Sequence, residues 1–124
     1  MIKGTDVQKI PLQLSQGCII TSIQIDLTPE VLQQFRQDLL DCLDQTDAKG
    51  IIIDLSGVEL MDIEDFQGLN TTLSMASLMG AKTILTGFQP GVVSSLVDFN
   101  VEIKHINATL NLDDALDLMK RLNS

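Results

Sequence analysis

A chain of 124 residues, 44% hydrophobic and 20% charged, has room for one compact domain and enough apolar surface to offset the entropy of folding. Its net charge of −9, with no Lys/Arg cluster, argues against a nucleic-acid backbone or an anionic membrane as partner and favours basic protein partners. No charged leader with an apolar stretch opens the sequence and no apolar run approaches the ~20 residues of a spanning helix, so a cytoplasmic location is expected.

In chain order, Ile10–Leu14 alternates apolar with polar residues and Cys18–Ile25 does so more loosely, with Ser15-Gln16-Gly17 between them, which predicts a β-hairpin. Thr28-Pro29-Glu30 then supplies a capping hydroxyl, a proline for the first helical position and an acid for the first turn. Val31, Leu32, Phe35, Leu39, Leu40 and Leu43 recur at helical spacing, so a first helix should run to about Asp44. Ile51–Leu55 lacks alternation, as a central strand covered on both faces would.

A second helix is expected from Asp62, with Ile63, Phe66, Leu69, Leu73 and Ala76 as its stripe and Gly80 as its C-terminal cap. Thr83–Thr86 reads as the next strand. Gly87-Phe88-Gln89-Pro90 turns the chain into a third helix, with Val92, Val93, Leu96 and Val97 expected inward, and Val101–Ile106 reads as a last short strand. Asn111 caps a final helix that starts with Asp113 and Asp114 and ends with Lys120 and Arg121, matching the helix dipole. The order ββαβαβαβα over residues 1–124 requires a single α/β domain, a mostly parallel sheet with an N-terminal hairpin and helices packed on it.

The chain holds no phosphate-cradling glycine motif, and its only histidine, His105, has no nucleophile elbow to serve. Asp54, Glu59, Asp62, Glu64 and Asp65 are dense enough to suggest a divalent cation, but their spacing matches no metal loop. Asp62 is a good N-cap, Asp65 can return a bond to the cap amide, and Glu64 sits in the positive first turn. No catalytic residue, metal or cofactor is therefore expected. Cys18 and Cys42 lack a C-x-x-C spacing and read as buried thiols of a reducing compartment.

I-I-I-D-L-S-G-V (51–58), L-M-D-I-E-D-F (60–66), L-M-G-A-K (78–82) and L-T-G-F-Q-P (85–90), in that order along nearly the whole chain, resemble the STAS domain of anti-sigma-factor antagonists. With A-T-L-N-L-D-D-A-L (108–116), they are most similar to the small scaffold subunit of the bacterial stressosome, the RsbS type. The resemblance implies a non-enzymatic module that acts by protein binding. In that family a kinase phosphorylates a serine or threonine at the start of the helix after the third strand, and the scaffold packs with sensor proteins bearing similar domains to hold or release the kinase. Sensor-type paralogues, a serine/threonine kinase, and a homodimer or larger hetero-oligomer are thus the expected partners and state.

The departure is at position 63, where Ile63 follows Asp62 and the modifiable hydroxyl is missing. Three readings follow. Glu64 and Asp65 could supply a permanent negative charge, although residue 64 is turned about 100° around the helix from residue 63. Ile63 could be an apolar contact, to the core or a partner, in a constitutive binding subunit, the reading favoured here. Regulation could also have moved to Thr86 or Ser56. The resulting partner surface comprises Ser56, Asp62, Ile63, Glu64, Asp65 and Thr86. A phosphoacceptor receiver is the rival fold, since Asp54 ends a central strand; yet no acidic pair follows the first strand and only Asp26 follows the second.

Overall fold

The computed structural model describes residues 8–100 and 106–123. Among these described residues nine elements follow in the expected order: β1 (Gln13–Ser15), β2 (Cys18–Ser22), α1 (Pro29–Gln45), β3 (Gly50–Asp54), α2 (Ile63–Leu78), β4 (Lys82–Thr86), α3 (Pro90–Asp98), β5 (Ala108–Thr109) and α4 (Leu112–Leu122). The strands form one sheet in the order β1-β2-β3-β4-β5. The first pair is antiparallel and the other three are parallel.

The hairpin is tighter than expected. Gln16 and Gly17, both at positive φ (54° and 77°), make a two-residue turn whose twist suits the flanking strands. Both strands are also shorter than the alternation suggests: Ile10 is buried outside β1, and the Pro11 carbonyl accepts a bond from Thr21 Oγ1 at 2.7 Å. Pro11 itself has no N–H to give to a ladder.

The helix ends follow local chemistry. Thr28 Oγ1 accepts from Val31 N (3.2 Å), Asp62 Oδ1 from Asp65 N (2.8 Å) and Asn111 Oδ1 from Asp114 N (2.9 Å). At the end of α2, Gly80 N donates to Ser77 O and Ala81 N to Ala76 O, the paired bonds of a Schellman motif, with Gly80 at φ 91°.

One expectation is corrected, in the third helix. Val92 and Leu96 of α3 are buried, but Val93 and Val97 are 45% and 63% exposed, because only one of the two four-residue spacings can face the sheet. The last described strand is Ala108–Thr109, paired in parallel with Leu85 and Thr86, and Ile106 lies before it. Of the predicted strand Val101–Ile106, residues 101–105, with His105, lie outside the described residues.

The sheet separates two apolar layers. Ile51 and Ile53 face α1, α2 and α3 with Phe35, Leu39, Phe66, Leu69, Val92 and Leu96, while Ile52 faces α4 with Cys18, Ile84, Ala115 and Met119. Helices α1 and α2 meet closely at Gly68, over which Leu32 lies. There Arg36 Nε donates to Thr72 Oγ1 (2.9 Å) and Nη2 to Gly68 O (3.2 Å). Leu39→Ala should therefore cost about 2–5 kcal/mol in urea unfolding. Leu78→Ala, at a side chain that is 89% exposed, should stay within about 0.5 kcal/mol.

Candidate functional site

Because β2, β3 and β4 run parallel, the loops that follow them leave the sheet at one edge, the edge where α/β sheets form their binding sites. The loop 55–62 is shaped by Asp54. Its Oδ1 accepts from Ser56 N at 2.9 Å and its Oδ2 from Ser56 Oγ at 3.0 Å, a carboxylate closing its own turn. From the next loop, Gln89 Nε2 donates to Ser56 O at 2.7 Å.

The loop delivers the chain to the head of α2. Asp62 caps the helix and Glu64 is exposed, so both carboxylates lie where the helix dipole favours negative charge. Ile63 is half-buried in the first turn, whereas Phe66 and Leu69 further along are fully buried. Burial pushes the Asp65 carboxyl above its ordinary range, and repulsion from Asp62, Glu64 and Asp26 adds to the shift.

A groove of about 600 Å³ opens between the β2–α1 loop (23–28) and the loop 55–62. Asp26, Glu59, Asp62 and Asp65 line it together with Ile25, Val58, Leu60 and Met61, and no Lys or Arg among the described residues is in its wall. Leu60 is 75% exposed there.

Thr86 and Ser56 differ in access. Thr86 is completely buried; its Oγ1 donates to Thr109 O (3.1 Å) and accepts from Thr109 Oγ1 (2.9 Å), tying β4 to β5. Ser56 is exposed, its hydroxyl held by Asp54. The structure thus brings Asp62, Ile63, Glu64 and Asp65 together at the helix head, with Ser56 in the preceding loop and Thr86 at the adjacent strand end. Sequence reasoning passed over Asp26, Leu60 and Gln89 as parts of this edge. Their signal was positional: each follows one of the parallel strands β2, β3 and β4 on its C-terminal side.

Among the described residues no group of three or more His, Cys, Asp and Glu side chains is placed to hold a metal. Cys18 is buried and its thiol is pushed up to about 11 by that burial, so it is a poor nucleophile. Cys42 is half-buried against the core instead of fully inside it, since it lies beside the buried α1 stripe of Leu39 and Leu43 and not on it. No helix among the described residues is long and apolar enough to cross a membrane.

The sheet order also excludes the receiver fold, which would run 2-1-3-4-5 with its first two strands parallel, whereas β1 here is an antiparallel edge. A family model described as the STAS domain matches residues 9–115. The chain belongs to the STAS-domain family. Its structure is similar to a serine-to-glutamate variant of RsbS from Moorella thermoacetica, at 27% identity and a TM-score of 0.80 over 92% of this chain and 97% of that one. A chain from a structure described as the molecular architecture of the stressosome, a signal integration and transduction hub, is 26% identical, with a TM-score of 0.76 over 91% of this chain and 98% of that one. The anti-sigma-factor antagonist SpoIIAA in its unphosphorylated form shares the fold at 15% identity, with a TM-score of 0.72 over 90% of this chain and 96% of that one. A search of curated proteins finds no match.

The raised Asp65 carboxyl has a sign that can be measured. The folded STAS domain keeps this proton to higher pH than the unfolded chain, so Asp65 contributes stability below its unfolded value that is lost as pH rises through the folded value. Asp65→Asn removes that loss. Between about pH 4 and about pH 7, urea unfolding of the variant relative to the native chain should shift in the variant's favour.

Proposed function

We propose that this STAS domain is a cytoplasmic, non-enzymatic binding module of the stressosome scaffold type, which controls a serine/threonine kinase by forming complexes with sensor-type STAS paralogues. The observation that carries the reading is Ile63. It stands at the head of α2, half-buried in the first turn, in a helix start otherwise built to be polar and capped by Asp62. A phosphate at this point would add about −1.5 to −2 charge beside free helix amides. An isoleucine cannot be so modified, and it gives the same surface a permanent apolar contact.

Support comes from likeness to two stressosome-related structures along nearly the full chain. The groove adds an acidic, leucine-bearing wall beside the helix head, suited to a basic protein partner rather than to nucleic acid or an anionic membrane. The subunit assembles as a homodimer or within a larger hetero-oligomer.

The other hydroxyls carry different costs. For a kinase to reach Thr86, the Thr109 pair at the β4–β5 end must first open. Phosphate on Ser56 would meet the Asp54 carboxylate that now accepts its proton. Regulation at either position remains the alternative to a constitutive module.

Size-exclusion chromatography with light scattering, alone and with a sensor-type STAS paralogue, tests the scaffold role: co-elution in a large complex is expected, and a strict monomer in both samples overturns it. Incubation with the cognate kinase and ATP, read by mass spectrometry, tests the constitutive role. The native chain should stay unlabelled and Ile63→Ser should take phosphate on the new hydroxyl, whereas label on Thr86 or Ser56 of the native chain would move regulation there.

A further inference from the structure

We propose that Gln89 is a positioning residue, joining the β3–α2 loop (55–62) to the β4–α3 junction (87–91) so that the head of α2 and the start of α3 meet a partner as one rigid edge. This rests on the binding role proposed above and adds the element that holds the binding surface in shape.

Gln89 occupies the N-cap position of α3 but makes no side-chain capping bond there. Short polar side chains serve a cap best, because the acceptor must fold back on the next amides. The longer amide of Gln89 reaches away from its own helix and donates to Ser56 O at 2.7 Å, across 33 positions of sequence. The residue is thus spent on the neighbouring loop.

Both flanking glycines press on that loop. A Cβ at Gly87, which has φ 76°, would stand 2.7 Å from Asp54 Oδ1 and 3.1 Å from Ser56 N. A Cβ at Gly91 would stand 2.6 Å from Glu59 O and 2.8 Å from Leu60 Cδ2. Residues 87, 89 and 91 therefore lie close against successive parts of the loop, beginning at Ser56 and ending at the exposed Leu60, with Gln89 making the bond.

The loop has a second hold from its own strand, where Asp54 binds Ser56 N and Oγ. Ser56 is fixed from both sides, so the conformation that carries Glu59, Leu60 and Met61 into the groove wall depends on a bond from another segment. Helix α3 in turn buries only Val92 and Leu96 among its described residues, and contact with the loop contributes to holding its first turn in place.

Gln89→Ala deletes the bond, and Gln89→Glu keeps the length while turning an oxygen toward the Ser56 carbonyl in place of the N–H donor. In amide hydrogen exchange both variants should speed exchange of the bonded loop amides, Ser56 N (to Asp54 Oδ1) and Val58 N (to Leu55 O), by roughly five- to tenfold, with the Ile51–Ile53 amides unchanged. Dissociation from a sensor-type paralogue should accelerate by a similar factor, with little change in association rate. Gly91→Ala, whose Cβ would meet Glu59 O and Leu60 Cδ2 and so must displace the loop against α3, should weaken the complex in the same way.

Unchanged exchange in both Gln89 variants would show that the bond does not hold the loop and would overturn the proposal. Faster exchange with unaltered dissociation would overturn it as well, because the partner would then not read what Gln89 positions. A native chain that binds no paralogue would remove the scaffold reading, while the exchange result would still decide whether Gln89 orders the loop.

Discussion

Parallel pairing of β2, β3 and β4 is the constraint from which the rest of this domain follows. Ile51, Ile52 and Ile53 are completely buried in β3, and only a strand with cover on both faces can keep three such residues from water in a row. Because each parallel connection must cross over, α1, α2 and α3 are committed to one face, and α4 is left to close the other. The same commitment sends three loops to one end of the sheet, where Asp26, Ser56, Leu60 and Gln89 become neighbours of the head of α2.

That end combines acids that serve the fold with exposed groups such as Leu60 and Glu64. Asp54 and Asp62 are engaged by backbone amides, one closing a turn and the other starting a helix. Asp65 bears the cost of their company, since it is partly buried among three other carboxylates and holds its proton more tightly than an isolated aspartate does. Charge density here is thus produced partly by structural needs, and a local run of acids in the sequence overstates the case for a metal.

Most of the architecture was legible because its determinants are local. Thr28, Asp62 and Asn111 each cap the helix that follows them, Gly80 ends α2 by taking a positive φ, and the unbroken isoleucine run marks the central strand. What was hidden depends on distant partners. Val92/Leu96 and Val93/Val97 are equally good four-residue pairs, and only the position of the sheet decides between them. The bond from Gln89 to Ser56 leaves no trace in either segment alone, although both belong to the stretches that carry the family resemblance. Strand lengths were overestimated at the hairpin because alternation continues through Ile10 and Ile25 after the ladder has stopped.

Arg36 gives the arrangement a final property. Its guanidinium grips Gly68 O and Thr72 Oγ1 in the middle of α2, at a point where Leu32 and Gly68 already bring the two helices together. Sliding or rolling α2 along α1 would break two bonds at once and pull a leucine out of its seat. A stroke of α2 along α1 is thus opposed at its midpoint, and under the proposed binding role the output would lie in which molecules occupy the loop edge and how long they stay, in attendance instead of shape.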